Sequence, residues 1–414
     1  MMTAGPSLRI HKYLPLACIC FFVNAPGIFP QGLLLTGLLS PFLYLWLLLK
    51  RRQYVVERYL AVLLPFLLMN IYDGIRWRDF ILSSGLLLTA YITVFAIAVA
   101  LREVRRLDEI ITPIIWMNLG LAGIGIIVRF TPLADLMWQI PDKYDPYQMI
   151  RFKGFTYEAS YYSTLLTPAV LFSYWRMAQK PSRSTFCLFA ATLIPLLMSR
   201  SYGSIGCLII AVTAAYVVHR RESAPYKWVA AVIVVVIVAY SVLPASNPLR
   251  VRAVKIATGS DSSEQVRTTD ALAYAYAMAH TKDPWFGVGF GEVKDYGAQF
   301  NGQYNGRGES RLSSAVADTL ATLGFAGLII RFGLEAYFFY KTRPDRDQFR
   351  LSLFIWVFLF QFGGSFNGNI AEYIVWILAF SRSVEPFPEA TRATAVPIGY
   401  EEPALLGTAR AANF

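Results

Sequence analysis

The residues able to do chemistry stand far apart along this chain. Arg151 and Glu158 flank a turn at Gly154. A cation and a carboxylate facing one cavity can bind a charged substrate and take its proton. A plainer role is open too: with Thr156 capping the next helix, Glu158 falls in its first turn and complements the helix dipole. Arg200 sits in Met198-Ser199-Arg200-Ser201-Tyr202-Gly203, at the end of an apolar run, where an arginine can also simply snorkel to an interface. Arg267 precedes Ala271–Ala279, an alanine-rich stretch of good helix formers. Then comes Asp283-Pro284-Trp285-Phe286-Gly287-Val288-Gly289-Phe290-Gly291. Without a strand before it this is no nucleotide loop. Gly287, Gly289 and Gly291 suit backbone that closely approaches a ligand or a membrane helix. Arg307 and Arg311 close the same loop, and His280 reads as a surface histidine. Asp318 and Glu372 lie within apolar runs, where an ionisable side chain is a functional suspect by default. Arg331 and Glu335, four apart, read as a pair.

The elements that must position these residues are membrane helices. Of 414 residues, 56% are hydrophobic and 16% charged, and the apolar ones come in blocks near the roughly 20 residues that cross a bilayer core. The fold expected is all-α and polytopic, with about twelve spans: 13–30, 32–49, 55–71, 80–101, 110–130, 158–178, 185–199, 203–219, 227–244, 312–332, 350–366 and 369–381. They form one domain over 1–381. Residues 382–414, with four prolines and no apolar block, read as a cytoplasmic, mobile tail.

Each even-numbered span exits into lysine and arginine: Lys50–Arg52, Arg102–Arg106, Arg176–Arg183, Arg220–Lys227, Lys341–Arg350 and Arg382. Basic short loops mark the cytoplasmic side. Both termini are then cytoplasmic, and the loops over about 131–157 and 245–311 lie outside. The formal charge of +11 thereby reads as orientation, and no nucleic-acid partner is expected. Trp46, Trp77, Trp138, Trp175 and Trp228 fall near span ends, as interface anchors would. Tyr144, Tyr147, Tyr296 and Tyr304 can stack on sugar rings or anchor at the interface. Cys18, Cys20, Cys187 and Cys207 read as small packing residues. No metal-ligand spacing appears, so neither metal nor cofactor is expected.

Four patterns in order carry a resemblance: R-x-x-G-x-x-x-E at Arg151, Gly154 and Glu158; Ser199-Arg200 at the top of a span; Arg267 followed by P-x-x-G-x-G-x-G at Pro284, Gly287, Gly289 and Gly291; and the span running through Leu320–Gly327. Over roughly residues 150–330 the chain resembles the O-antigen polymerase and O-antigen ligase superfamily, which joins lipid-linked sugars at the periplasmic face of the bacterial inner membrane. The resemblance implies a GT-C-like glycosyltransferase with a long periplasmic loop between spans nine and ten. It implies an undecaprenyl-diphosphate-linked glycan donor, a glycan acceptor, and no required metal. Arg151, Arg200 and Arg267 are then diphosphate clamps, with Arg307 and Arg311 added from loop position. Glu158 is the first candidate base and Asp318 the second. Where the ligase branch carries a His-Asn pair, this chain has Ser313 and Ser314, which favours a polymerase. A chain-length regulator is a possible partner in the membrane. A flippase for lipid-linked sugars is the reading from another class.

Overall fold

The computed structural model describes residues 35–102, 107–140, 150–219, 254, 268–294, 296, 312 and 314–381. The segments expected to span at 13–30 and 227–244, and the tail 382–414, lie outside the described residues.

The described chain is a helical bundle: α1 Leu35–Arg51, α2 Val55–Tyr72, α3 Trp77–Leu101, α4 Asp108–Val128, the short α5 Ala134–Met137, α6 Ala159–Gln179, α7 Arg183–Ser199, α8 Tyr202–Val218, α9 Thr269–Lys282, α10 Ala315–Thr342, α11 Gln348–Phe360 and α12 Ile370–Phe380. Among the described residues, α2, α3, the Ile110–Val128 part of α4, and α10 are long and apolar enough to cross a membrane. Two expectations shift. The span set at 312–332 runs on to Thr342, and the one set at 350–366 stops at Phe360, because Gln361, Gly363 and Gly364 end the apolar helix. One small exception to an all-α fold is a two-residue antiparallel ladder, β1 Trp138–Gln139 with β2 Arg151–Phe152.

The core forms around α6, of whose 21 residues 17 are buried. Such a helix faces neither water nor lipid, so its polar residues can find partners only inside the bundle. Thr164, Thr167 and Ser173 donate to carbonyls four residues back, and Ser163 to one three back; the buried Tyr161 and Tyr174 hydroxyls have no hydrogen-bond partner among the described residues. Trp175 and Trp138, expected at the interface, are instead buried. The Trp175 indole donates to Ser352 Oγ (3.0 Å) and that of Trp138 to the Gly125 carbonyl (2.7 Å). Cys187, expected to pack inside, is exposed on the flank of α7.

Two ends follow from the packing. At one, Arg176 near the end of α6 pairs with Asp108 at the start of α4 (2.8 Å). There too Arg350 bonds the carbonyls of Ala379 (3.0 Å) and Thr342 (2.9 Å), tying α11, α12 and α10 together. Lys341, Arg343 and Arg346 gather at this basic end. At the other end lie the start of α6, the end of α7 and the segment 268–296.

Candidate active site

Arg151 stands at that second end on a firm base. The β1–β2 ladder pairs it with Gln139. Its neighbour Phe152 is fully buried between the rings of Trp138 and Tyr162, each 5.1 Å away. The Arg151 Nε donates to the carbonyl of Ser199 (3.1 Å), so Arg151 meets the turn carrying Arg200. Arg200 ends α7 with φ 49° and ψ 36°, a left-handed conformation that costs a non-glycine residue about 1–2 kcal/mol. Its half-buried guanidinium has no hydrogen bond or ion pair among the described residues. Arg52 and Arg343 adopt the same conformation but are exposed, so the half-burial of a guanidinium without a partner among the described residues, rather than the strain, marks Arg200.

Glu158 does not sit in the first turn of α6. It is the N-cap residue itself, with extended backbone. Thr156 caps no amide; its hydroxyl donates to the carbonyls of Lys153 (2.6 Å) and Glu158 (2.9 Å). The Glu158 carboxylate is half-buried and without a partner among the described residues, unlike a carboxylate spent on a helix cap. In the same turn, burial holds the Lys153 ammonium below its ordinary pKa, partly countered by Asp135.

The glycine turn plugs a broken helix. Gly324 interrupts α10 with φ 63° and ψ −161°, leaving amides and carbonyls unpaired within the helix. Backbone of the turn takes their place. Phe325 and Ala326 N–H donate to the carbonyls of Pro284 and Trp285 (both 3.0 Å), while Val288 and Gly289 N–H donate to those of Ala321 (2.8 Å) and Thr322 (3.1 Å). Gly287 has φ 73°, and a Cβ there would lie 2.5 Å from the Ala321 oxygen, so contact this close requires glycine. Gly289 abuts Asn70 of α2, and Gly291 the Asp79 carbonyl of α3. The three glycines thus approach membrane helices. A buried ion pair locks the turn: Lys282 Nζ donates to Glu292 Oε2 and the Val288 carbonyl (both 3.1 Å), and Glu292 Oε1 accepts from Arg76 N–H (3.1 Å). On its other side α9 lays Ala271, Ala275 and Met278 against Ala317, Leu320 and Ala321 of α10, and the alanines among them let the helices approach closely.

The break also assembles a polar network. In a straight helix Thr319 and Arg331 would be about 18 Å apart; here Arg331 Nη1 reaches Thr319 Oγ1 at 3.3 Å. Arg331 pairs with Glu335 (3.3 Å), as its spacing suggests, and also with Glu372 on α12 (2.5 Å). It further donates to Gln361 Oε1 (2.7 Å) and Asn367 Oδ1 (3.3 Å). Glu335 accepts from Gln361 (3.1 Å), and Glu372 from Trp376 (3.2 Å) and Ser365. The network ends at Asp318, whose Oδ2 accepts from Asn367 N–H (2.9 Å). One residue back, the Phe366 ring meets that of Tyr157 at 6.1 Å, and Tyr157 adjoins Glu158.

Contacts therefore link Arg151 to the Arg200 turn, and the Glu158 turn through Phe366 and Asn367 to Asp318. Arg267, Arg307, Arg311 and Ser313 lie outside the described residues, as do Tyr144, Tyr147 and Tyr304. His280 rests on Tyr276 of its own helix α9, with Nδ1 3.0 Å from that residue's carbonyl. Sequence reasoning missed the partners of Arg331 beyond Glu335, and the Lys282–Glu292 pair. The signal available was Gln361, Ser365, Asn367 and Asn369 clustered between two apolar runs.

Residues 185–332 match the model of a known family, described as O-antigen ligase (Wzy_C). That stretch carries the domain of the O-antigen polymerase and ligase superfamily. The match begins on α7, includes Arg200 and the glycine turn, and ends just past Arg331. No curated protein matches the sequence. Within the superfamily's domain, Ser314 occupies the N-cap of α10. Its hydroxyl accepts from Ala317 N–H (3.2 Å) and donates to the Gln361 carbonyl (3.3 Å), which is a structural role.

Proposed function

We propose that this chain is a bacterial inner-membrane glycosyltransferase that polymerises undecaprenyl-diphosphate-linked oligosaccharide repeat units at the periplasmic face. The observation that carries the reading is the Arg200 guanidinium, without a partner among the described residues and inside the family match, beside an Arg151 that the Ser199 carbonyl holds in place. Glycosyl transfer to an acceptor hydroxyl expels a lipid diphosphate, and charge grows on it as the bond breaks. Fixed guanidinium groups meet that charge best, since each offers a planar fork of donors. Arg267, Arg307 and Arg311 join them in this reading. The acceptor hydroxyl gives its proton to a carboxylate, Asp318 or Glu158. Basic residues gathered at one end support a cytoplasmic position for that end, and in this reading the arginine turns lie outside and both termini in the cytoplasm.

Serine in place of the ligase histidine supports polymerase over ligase. The test uses purified protein and lipid-linked single repeat units. A ladder of products marks a polymerase, one transfer to lipid A core or protein marks a ligase, and no sugar bond formed in detergent removes the enzyme reading in favour of transport. Arg267→Ala should stop chain extension while the protein still reaches the membrane.

A further inference from the structure

The turn between α11 and α12 lies less than a bilayer core's thickness from the basic end. Two rulers laid from that end agree. From the basic end, where Arg350 ties α10, α11 and α12 together, α11 has 13 residues and α12 has 11. These rise about 20 Å and about 16 Å, against a hydrocarbon core of about 30 Å. Along α10, Arg331 lies eleven residues before Thr342, about 17 Å up, and there it meets Gln361 at 2.7 Å. The turn 361–369 thus stops about 10 Å short of the far face.

Irregular backbone is tolerated at that depth only where protein buries it or water reaches it. One side is protein. The Gln361 carbonyl accepts from the first amides of α10, Ala315 (2.9 Å) and Val316 (3.3 Å), and the Asn367 carbonyl from Tyr373 (2.9 Å). The other side remains half-buried: Gly363, Gly364, Phe366, Asn367 and Gly368. The Asn367 side-chain nitrogen has no partner among the described residues. Asp318 keeps its Oδ1 on one long contact, to Thr322 at 3.4 Å. A carboxylate, an amide donor and the ring edges of Phe366 and Tyr157 are the groups that recognise a neutral polyhydroxylated molecule: hydrogen bonds for its hydroxyls, rings for its C–H faces.

We propose that residues 361–369 form the floor of a water-filled cleft sunk into the membrane, and that this floor holds the acceptor sugar, its hydroxyl on Asp318 and its neighbour on Asn367. The sugar assignment rests on the proposed function; the depth and wetness of the floor do not.

Thiol labelling tests both. In protein whose four cysteines are replaced, Gly368→Cys adds a Cβ that meets nothing closer than Phe366 at 3.6 Å; Asn367→Cys is the second variant. A membrane-impermeant charged thiol reagent should label both in sealed vesicles from the face opposite the basic end. Native Cys187, restored alone on the exposed flank of α7, should stay unlabelled. Free hexoses, 6-deoxyhexoses or N-acetylhexosamines at millimolar concentration should slow labelling of Gly368→Cys at least threefold, and undecaprenyl phosphate should not. No labelling at either position overturns the wet floor. Labelling that no sugar slows, or that only the polyprenyl phosphate slows, overturns the sugar assignment. Failure of the glycosyl-transfer assay with labelling intact separates loss of the proposed function from loss of the floor.

Discussion

Arg331→Met isolates what holds the sunken turn in place. The Arg331 side chain is 13% exposed, that of Glu335 10% and that of Glu372 2%. Removing one partner of a buried pair leaves an uncompensated charge, at a cost of about 3–5 kcal/mol. Arg331 serves two carboxylates as well as Gln361, Asn367 and Thr319, so the upper half of that range applies. At about 2 °C per kcal/mol for a large domain, thermal unfolding in detergent should fall by about 8–10 °C. Adding Glu372→Gln removes the most deeply buried charge and keeps an acceptor for Trp376, so the double variant should regain at least half of the loss. Arg331→Lys should lie between, since an ammonium neutralises but cannot fork. A double variant no more stable than Arg331→Met would refute the claim that the guanidinium acts by neutralising Glu372. Labelling of Gly368→Cys should also become faster in the Arg331→Met background, because the turn has lost its clamp.

Three further outcomes are expected. Arg200→Gly places glycine at a left-handed helix end and should raise unfolding temperature slightly, by about 1 kcal/mol of relieved strain, while product formation falls at least a hundredfold; retained activity removes Arg200 from the site. Gly287→Ala forces a Cβ against the Ala321 carbonyl and strains a positive φ, so it should lower both thermal stability and activity, with new trypsin cleavage after Lys282 as the marker of an undocked turn. Burial depresses the Lys153 pKa in the folded state, so between the folded pKa and the ordinary 10.5 the unfolded chain binds more protons and stability rises with pH. Lys153→Met should therefore stabilise the protein at pH 7, and the gain should shrink as pH approaches 10, read from unfolding temperature against pH.

The bundle was legible because apolar run length states it directly. The ten expected spans that fall on described residues each coincide with a helix, with shifted ends at α10 and α11. Basic exits gave the alternation that the Arg176–Asp108 and Arg350 contacts now join. The indoles show where run length fails. Trp138 and Trp175 lie near span ends in sequence, yet each finds its partner inside the bundle, and no local pattern distinguishes an interface from a neighbour. Gly324 shows it again. A single glycine within an apolar run reads as a tolerated weak point, and only the docking of the 284–291 turn turns it into a break. Once α10 breaks, Arg331 gains partners 30 to 41 residues away, which i,i+4 spacing could never reveal. At the candidate site, the Arg151 and Arg200 turns were legible as unusual polar residues at span ends. Their joining through the Ser199 carbonyl was not, since it depends on a two-residue ladder formed between segments on either side of 141–149.

The sunken floor also separates the two candidate bases under the proposed reaction. A hydroxyl displacing a diphosphate in line approaches the anomeric carbon from the side opposite the leaving oxygen. The base and the clamp then stand across a sugar ring from one another. Glu158 belongs to the same turn as Arg151, seven residues along and before α6 begins, so it lies with the clamp. Asp318 lies across the Tyr157–Phe366 contact, held by the Asn367 amide at the floor. On this geometry Asp318 takes the proton, and Glu158 borders the donor, where its charge limits how tightly a diphosphate binds. Asp318→Asn keeps the Asn367 contact and should cut kcat by at least a hundredfold with little change in KM for the donor. Glu158→Gln should leave kcat within a few fold and lower KM for the donor, because like charge is removed beside a dianion. The opposite pattern, with kcat lost in Glu158→Gln and kept in Asp318→Asn, would assign the proton to the rim and leave the floor as a binding surface alone.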